Sequence, residues 1–256
     1  MSAVHGTSVD IPTPDGVADA YVAYPDDGAA HPGVLVFQDA FGLRPSLRAL
    51  ADRIAAHGYT VLAPNLFYRA GRTPLFDLPD PIVMAERPDI LQQIMPLMMQ
   101  LTPEVVKSDS GAYLEWMAAF PQIADGAVGL TGYCMGGRLV VYTAAAHPDR
   151  VAAGAAFHTG HLVVDDESSP HLVVDSITAE LYLAPADNDR SMSPEQIETF
   201  DKALDAAGVR HTTEVYEGAA HGYTQADTEA YHHESAERHY RELLALYDRT
   251  IGASKG

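Results

Sequence analysis

A single cysteine lies in a sequence pattern that is typical of a catalytic nucleophile. Cys134 is the only cysteine among 256 residues, and it is the centre of the run Gly-Tyr-Cys-Met-Gly at 132–136. This run is the G-x-S-x-G pattern with cysteine in place of serine, and it follows an apolar strand and precedes a helical stretch. A tight turn of this kind presents the side chain at a helix N-terminus, where negative charge is stabilised. We therefore predict that Cys134 is a nucleophile.

A thiol nucleophile requires a general base, and the base requires an orienting acid. Both have candidates downstream, in the order nucleophile, acid, histidine that is typical of such enzymes. His221 follows a predicted strand and is flanked by a glycine in the loop before the last helical stretch. Asp189 lies in a loop that leads from a strand to a strong helix start at Ser193. We favour Asp189 as the acid and keep Asp187, nearer the strand, as the alternative.

The other histidines have weaker claims to a role in chemistry. His158 ends an apolar strand and is a candidate to face the substrate pocket. His233 and Glu237 have the i, i+4 spacing that can hold a metal ion, but a solvated helix face is the interpretation we favour. The sequence therefore predicts a reaction that needs neither a metal nor an organic cofactor.

The elements that must position these residues alternate along the chain. Short apolar runs, which suit strands buried on both faces, occur at 33–37, 59–63, 127–130, 151–157, 177–183 and 213–216. Helical stretches lie between them, from Pro45 to Gly58 and at about 104–120, 136–147, 194–207 and 227–251. This alternation predicts a mostly parallel central sheet with helices on both faces. A hairpin around residues 14–16 adds an antiparallel N-terminal edge, and residues 1–256 are expected to form one domain.

Residues 70–103 fit this alternation least well. They contain six prolines and the four methionines Met84, Met95, Met98 and Met99. Prolines restrict regular structure, and methionines fill irregular apolar space. We favour a surface excursion that is packed by its own side chains, and a cap over a substrate pocket is the alternative.

The composition limits the partners and the location of the protein. The formal charge of −19, from 16 basic and 35 acidic residues, argues against nucleic-acid binding and against docking on anionic lipid. The first residues lack the pattern of a secretory signal, and no run approaches the roughly 18 apolar residues of a spanning helix. One cysteine also rules out an internal disulfide framework. We therefore expect a cytoplasmic protein, of an oligomeric state that the sequence leaves open.

The chain resembles the dienelactone hydrolase family of α/β-hydrolases. The matching segments are 36–43, 50–64, 66–69, 132–137, 189–194 and 220–223, and residues 71–120 resemble the family least. The segment around Cys134, a strand-to-helix turn that we call the elbow, is the most specific of them. The resemblance implies an α/β-hydrolase fold and an enzyme that hydrolyses small esters or lactones, with Cys134, His221 and Asp189 as a catalytic triad and an acyl-thioester as the intermediate.

The resemblance also implies roles for residues around the triad. The backbone N–H groups of Ala40 and Met135 would form the oxyanion hole. Arg69 aligns with an arginine that helps to bind a substrate carboxylate in the family, although a surface ion pair is an equal alternative; the neighbouring Tyr68 joins it as a candidate substrate-binding residue. Asp39 stands where the family has a glutamate linked to thiol activation, and its side chain is one methylene shorter.

Two other functions fit parts of the pattern. A glutaminase-like amidotransferase also has cysteine on such a turn, but it would need a His-x-Glu pair where this chain has His221 followed by Gly222 and Tyr223. A non-catalytic ligand-binding module that retains the fold is the remaining alternative. The intact set of cysteine, aspartate and histidine favours the hydrolase.

Overall fold

An eight-stranded sheet forms the centre of the molecule, whose computed structural model describes residues 3–83 and 86–252. Its strands are β1 (Val4–Thr13), β2 (Gly16–Pro25), β3 (Gly33–Phe37), β4 (Thr60–Pro64), β5 (Val128–Tyr133), β6 (Val151–Phe157), β7 (Glu180–Ala184) and β9 (His211–Thr213). β8 (Ala186–Asn188) and β10 (Tyr216–Ala220) form a second, two-stranded sheet. The helices are α1 (Pro45–Ala55), α2 (Pro88–Met99), α3 (Pro103–Ala119), α4 (Met135–Ala146), α5 (Pro194–Ala207) and α6 (His233–Thr250), with short 3₁₀ turns at Pro170–Leu172 and Val174–Ser176.

The large sheet is parallel except at its N-terminal edge. Its strand order is β1-β2-β4-β3-β5-β6-β7-β9. β2 pairs antiparallel with both β1 and β4, whereas the remaining neighbours are parallel. Pro14 and Asp15 form the loop that joins β1 to β2. The predicted fold, a mostly parallel sheet with an antiparallel hairpin at its edge, is confirmed.

Two apolar clusters hold the helices against the two faces of this sheet. In β3, Val34 and Val36 belong to the cluster under α1 and α6, whereas Leu35 and Phe37 belong to the cluster under α3, α4 and α5. Alternate side chains of a strand point to opposite faces, so a strand covered on both sides is apolar throughout. Each such side chain contributes about 1.5–3 kcal/mol when it is fully buried.

The predicted strand at 213–216 is wrong, because the structure divides this segment between two sheets. β9 ends at Thr213, and β10 begins at Tyr216. The partner strands β7 and β8 are separated by Pro185, which has no N–H to continue the ladder of backbone hydrogen bonds. Glu214 N–H still donates to the carbonyl of Leu183 at 2.9 Å, and Tyr216 N–H then donates to the carbonyl of Pro185 at 2.9 Å.

The last helix also begins later than the sequence predicts. α6 starts at His233 rather than at 227, because the preceding residues are held in turns. Gln225 N–H donates to the carbonyl of Gly222 at 2.8 Å, and His232 N–H donates to the carbonyl of Tyr223 at 3.1 Å. These turns keep the loop after His221 close to the sheet.

Residues 70–103 contain a regular element that the prolines did not predict. α2 begins with Pro88, at a position where the missing N–H costs nothing. Pro96 lies inside the helix and removes one helical hydrogen bond, but Ile90 on the inner face is buried and anchors the helix. Met84, one of the four methionines of this segment, lies outside the described residues.

Candidate active site

Cys134 lies in the turn between β5 and α4, at the carboxyl end of a central strand. Its backbone has φ 56° and ψ −119°, a conformation that costs a residue with a side chain about 1–3 kcal/mol. Hydrogen bonds hold the turn in place. Cys134 N–H donates to the carbonyl of Phe157 at 3.1 Å, and the carbonyl of Cys134 accepts from Gly137 N–H at 3.2 Å. Since α4 begins at Met135, the half-buried sulfur lies at a helix N-terminus.

The glycines of this turn occupy space that no side chain could share. A Cβ on Gly132 would overlap the carbonyl of Gly136. A Cβ on Gly136 would lie 2.5 Å from the carbonyl oxygen of Phe37, in the adjacent strand. A Cβ on Gly137 would overlap the side chain of Thr159, which follows β6. The glycines of the elbow therefore allow β5 and α4 to pack closely against each other and against the neighbouring strand β3 and Thr159.

The strain at position 134 predicts a stability difference between two variants that lack the sulfur. We expect Cys134→Gly to have a free energy of unfolding about 1 kcal/mol higher than Cys134→Ala, because glycine adopts positive φ without steric cost. Urea unfolding of the two proteins measures the difference, and neither variant carries the sulfur. An alanine variant as stable as the glycine variant would show that the turn is not strained.

His221 and Asp189 meet because β8 and β10 pair in the small sheet. Asn188 and Ala220 are partners there, so the residues that follow them leave the sheet side by side. His221 Nδ1 lies 2.7 Å from Asp189 Oδ2. The other oxygen of this buried carboxylate accepts from Ser191, through its N–H at 2.8 Å and its hydroxyl at 2.6 Å.

Asp187 takes a different position from Asp189. It lies at the exposed end of β8, where its Oδ2 accepts a hydrogen bond from Gly218 N–H at 3.2 Å. The structure therefore brings Asp189 rather than Asp187 to His221.

The electrostatics of this pair favour a protonated imidazole. Burial lowers the pKa of His221, but the hydrogen bond with Asp189 and the interaction with Cys134 outweigh it and raise this pKa to about 10. Burial raises the pKa of Asp189, but hydrogen bonds from His221 and Ser191 outweigh it and hold the pKa below its usual value. At neutral pH, the arrangement therefore places an imidazolium in the cavity that Cys134 lines, with the Asp189 carboxylate bound to its other side.

Cys134 and His221 line a single cavity of about 130 Å³. This volume is small compared with the pockets of roughly 300–1,000 Å³ that hold drug-sized ligands. The other residues that line it are Met98, Met135, Arg138, Gly160, His161 and Ser191. α2 therefore supplies one wall of the cavity, and α4 supplies another.

Several of these lining residues were not singled out from the sequence. Arg138 follows Cys134 by four residues at the start of a helix, and this spacing places side chains on one helical face. Ser191 follows Asp189 by two residues, a spacing at which a hydroxyl or N–H often bonds an aspartate. Met98 had been named only as one of the four methionines of residues 70–103, for which a cap was the alternative, and His161 had no local signal; helix α2 and the loop after β6 bring them to the cavity.

Ala40 and Met135 follow neighbouring strands. Phe37 in β3 is the partner of Gly132 in β5, so the loops after both strands lie at the same end of the sheet. Met135 is the first residue of α4, and its N–H is one of those that a helix leaves unpaired. Ala40 N–H has no acceptor within the part of the chain that the structure describes.

Asp39 is bound by an arginine instead of facing the cavity. Both of its oxygens accept from Arg44 Nη1, at 2.7 and 2.9 Å, and Oδ1 also accepts from Phe41 N–H at 2.8 Å. Arg44 in turn binds Asp227 at 2.6 and 2.9 Å. Asp39 and Arg44 are both buried. This network ties the loop of Ala40 to the loop that follows His221.

Arg69 and Tyr68 also have partners within the protein. The Arg69 guanidinium binds Asp109 at 2.7 and 2.8 Å and Asp15 at 2.6 Å. The Tyr68 hydroxyl donates to the same Asp109 at 3.0 Å. The structure does not bring either residue to the cavity that Cys134 lines.

His158 packs behind His221 rather than beside the sulfur. It is fully buried, and its Nε2 lies 2.7 Å from the hydroxyl of Thr224. Its ring meets the ring of His221 edge to face, with the centroids 5.3 Å apart. Burial and the neighbouring His221 hold the pKa of His158 well below its usual value. The neutral imidazole of His158 therefore packs against the protonated imidazole of His221.

Two other kinds of feature are missing from the residues that the structure describes. Within 3–83 and 86–252, no three histidine, cysteine or acidic side chains are grouped as a metal ion would require. Over the same residues, no helix combines the length and the apolar character needed to cross a bilayer.

The strand order and the elbow after β5 define the class of protein as an α/β-hydrolase. The solved acylaminoacyl peptidase of Pyrococcus horikoshii shares this fold, with a TM-score of 0.70 at 13% identity, over 100% of this chain and 43% of that one. The model of the dienelactone hydrolase family matches residues 18–251. The chain belongs to that family and is a carboxylic ester hydrolase.

Individual relatives agree with this assignment. A protein of Salmonella typhi named "Putative carboxymethylenebutenolidase" is 31% identical over 96% of this chain and 87% of its own length. A crystal structure from Klebsiella pneumoniae, titled as that of a "Putative Dienelactone Hydrolase", has a TM-score of 0.84 at 25% identity. It covers 97% of this chain and 100% of its own.

Proposed function

We propose that the protein hydrolyses small esters or lactones, with Cys134 as nucleophile, His221 as acid and base, and Asp189 as the orienting carboxylate. The observation that carries the proposal is the 2.7 Å hydrogen bond between Asp189 and His221 in a cavity that Cys134 also lines. The name of the Salmonella relative denotes action on a butenolide, which is an unsaturated lactone. That name supports the substrate class.

In the first half of the reaction, the Cys134 thiolate attacks the carbonyl carbon of the substrate. A carbon–sulfur bond forms, and an electron pair moves to the carbonyl oxygen. The N–H groups of Met135 and Ala40 stabilise this oxyanion, and one such donor is worth about 2.7–4 kcal/mol in a comparable hydrolase. The carbon–oxygen bond then breaks, and His221 gives its proton to the leaving oxygen. The products are an alcohol or enol and an acyl-thioester.

In the second half, the neutral His221 takes a proton from water. The resulting hydroxide attacks the thioester carbon, the carbon–sulfur bond breaks, and the sulfur leaves as a thiolate. Asp189 holds the ring in one orientation and stabilises the imidazolium that forms. The acid is released, and the thiolate–imidazolium pair is restored.

A rapid acid quench during turnover tests the intermediate. With p-nitrophenyl acetate, we expect the mass of the intact protein to show one added acetyl group, because thioesters survive acid. The masses of its peptides after digestion should place this group on the peptide that contains Cys134. The adduct should decay at the rate of turnover. A stoichiometric adduct that never decays would instead favour a ligand-binding module, and an adduct on another residue would refute the assignment.

We also propose that the whole chain is one catalytic domain and that α2 forms part of a cap over the site. Met98 lines the cavity next to Cys134. The segment before α2 is tied to the loop after His221, since Ile82 N–H donates to the carbonyl of Asp227 at 2.7 Å.

The cap predicts a change in substrate size preference. We expect Met98→Ala to raise kcat/KM for longer acyl chains relative to acetate by about 10-fold, because removing a side chain from a pocket wall changes discrimination by roughly 1–3 kcal/mol. Met99→Ala is the matched control, since Met99 is 76% exposed on the same helix. Equal profiles for both variants, measured with p-nitrophenyl esters of increasing length, would argue against the cap.

A further inference from the structure

We propose that His158 is a positioning residue for the reaction. Its ring, anchored on Thr224, fixes the plane of the His221 ring and so directs Nε2 of His221 to Cys134 and to the attacking water. This inference rests on the proposed hydrolase activity and adds one side chain to the three that carry out the reaction. His158 does not line the cavity of Cys134, so it acts through His221.

The backbone of His158 is strained directly after β6. Its φ is 39°, and Cys134 and His161 are the other described non-glycine residues with positive φ. Its N–H donates to the carbonyl of Ala184 at 3.0 Å, which ties it to β7. Such strain persists only where the surroundings hold a residue in place, and it is concentrated at functional sites. The fold therefore holds this imidazole in one place at a steric cost.

Hydrogen bonds alone leave the ring of His221 free to tilt. Asp189 Oδ2 and the hydroxyl of Ser191 both lie at Nδ1, at 2.7 and 3.3 Å. Contacts at one atom fix a point of the ring, but they do not fix its plane. Gly222 follows with φ 95°, and its conformational freedom does not restrain the backbone of His221. A further contact on the ring is therefore needed to fix the direction of Nε2.

His158 supplies that contact from a fixed position. The two rings meet at an interplanar angle of 69°, which is one of the preferred arrangements of ring pairs. The ring of His158 also meets the ring of Tyr223, with the centroids 5.0 Å apart, and its Nε2 bonds Thr224 Oγ1. His158 therefore contacts three residues within the stretch 221–224. The His221 ring packs against a surface that is anchored on its own loop.

The groups around His158 keep this contact free of competing charge. Burial, and then the charges of His221 and His239, hold the pKa of His158 well below its usual value. Tyr133 and Tyr223 also pack on its ring, and burial raises the pKa of both phenols well above the usual value. At neutral pH, His158 therefore contacts the imidazolium of His221 as a neutral ring.

The hydrogen bonds of His158 indicate which nitrogen carries its proton. Nδ1 is buried and has no hydrogen-bond partner among the described residues. A buried N–H without an acceptor is rarer than an unpaired acceptor. We therefore assign the proton to Nε2, which donates to Thr224 Oγ1. Thr224 thus fixes the orientation of the His158 ring.

The lifetime of the acyl-enzyme tests the role of His158 in turnover. With p-nitrophenyl acetate, formation of the thioester needs little proton transfer, whereas its hydrolysis needs His221 as the base. We expect His158→Ala to lengthen the lifetime by about 10–100-fold, since a displacement of about 1 Å at a reacting group can have an effect of this size. His158→Phe keeps a ring against His221 but cannot bond Thr224, so its lifetime should lie between those of the wild type and His158→Ala.

The reactivity of Cys134 provides a readout that needs no turnover. An imidazolium held close to a sulfur keeps it as a thiolate to lower pH. We expect His158→Ala to move the acidic limb of the rate of alkylation by iodoacetamide upward by about one pH unit, which is about a 10-fold lower rate at a given pH on that limb. A role confined to stability would leave this limb of the folded protein in place.

His239→Ala is the matched control. His239 is also fully buried, its Nε2 lies 2.8 Å from the Tyr133 hydroxyl, and its ring meets Phe157 at 4.4 Å, but no ring contact with His221 is found in the described chain. It should lower the melting temperature, as His158→Ala does, and leave both readouts unchanged. Equal changes in the two variants would overturn the inference, because they would show a general loosening of the core.

Thr224→Val covers the case in which His158→Ala does not fold. It removes the anchoring hydroxyl, keeps the shape of the side chain and should change both readouts in the same direction by a smaller factor. Unchanged readouts in His158→Ala, or in Thr224→Val if the alanine variant is unfolded, would refute the inference. If the wild type forms no acyl-enzyme, the proposed function fails, and the alkylation limb still decides whether His158 positions His221.

Discussion

Replacing Cys134 with alanine is expected to lower the kcat for ester hydrolysis on the order of 10⁶-fold, the loss seen when the nucleophile of a comparable triad is removed. The physical reason is that the chain has no second thiol, and the oxyanion donors alone cannot form an acyl-enzyme. Initial rates with a p-nitrophenyl ester, at high enzyme concentration, measure the effect. Thermal melting should show a folded protein, because alanine keeps the Cβ of cysteine and removes only the sulfur.

Ser191 provides a rival nucleophile and therefore a control. Its hydroxyl also lines the cavity, and it lies 3.3 Å from His221 Nδ1. That hydroxyl donates to Asp189 at 2.6 Å, so it is engaged in holding the carboxylate. We expect Ser191→Ala to retain far more activity than Cys134→Ala. The reverse order would move the nucleophile to Ser191 and refute the thioester mechanism.

Asp189→Asn is expected to reduce kcat/KM by about 10²–10⁴-fold, the usual range for acid–base assistance. It should also move the alkaline limb of the pH profile. Burial lowers the pKa of His221, and Asp189 and Cys134 together raise it to about 10. Without the carboxylate, His221 loses its proton at a lower pH. Activity that needs a protonated His221 then falls at a lower pH than in the wild type.

An alkyl ester makes this shift measurable, because its poor leaving group needs the proton of His221. A p-nitrophenyl ester has a good leaving group and should show a weaker alkaline limb in kcat/KM. Asp187→Asn is the matched control, since Asp187 lies at the exposed end of β8 and accepts a hydrogen bond from Gly218 N–H. A large loss in Asp187→Asn with little change in Asp189→Asn would assign the acid to Asp187.

Much of the fold was predictable because the relevant signals are local. The apolar run at 33–37 became β3 with its predicted bounds, and the helix start at Ser193 is the N-cap of α5 with both capping-box hydrogen bonds. Such patterns act over a few residues, through side-chain alternation and backbone hydrogen bonding. The elbow belongs to this group, since its glycines and Cys134 are adjacent in the chain.

The contacts of the candidate site were less predictable because they depend on how distant loops meet. Sequence order alone suggested an acid and a histidine, but the pairing of Asn188 with Ala220 is what brings Asp189 to His221. The sequence placed a single strand at 213–216 and therefore did not predict the small sheet that contains this pairing. Likewise, α2 was not expected, and only the structure brings Met98 into the cavity wall.

Read alone, the chain determined that this protein is a parallel α/β hydrolase with a cysteine in a strained turn. Only the tertiary structure decided which charged side chains neutralise one another. Arg69 meets Asp109 across 40 residues, and Arg44 meets Asp227 across 183. In contrast, the buried Nε of Arg138 has no hydrogen-bond acceptor among the described residues. The reason is physical: backbone preference and apolar spacing act between near neighbours, whereas an ion pair forms wherever folding brings two charges within contact.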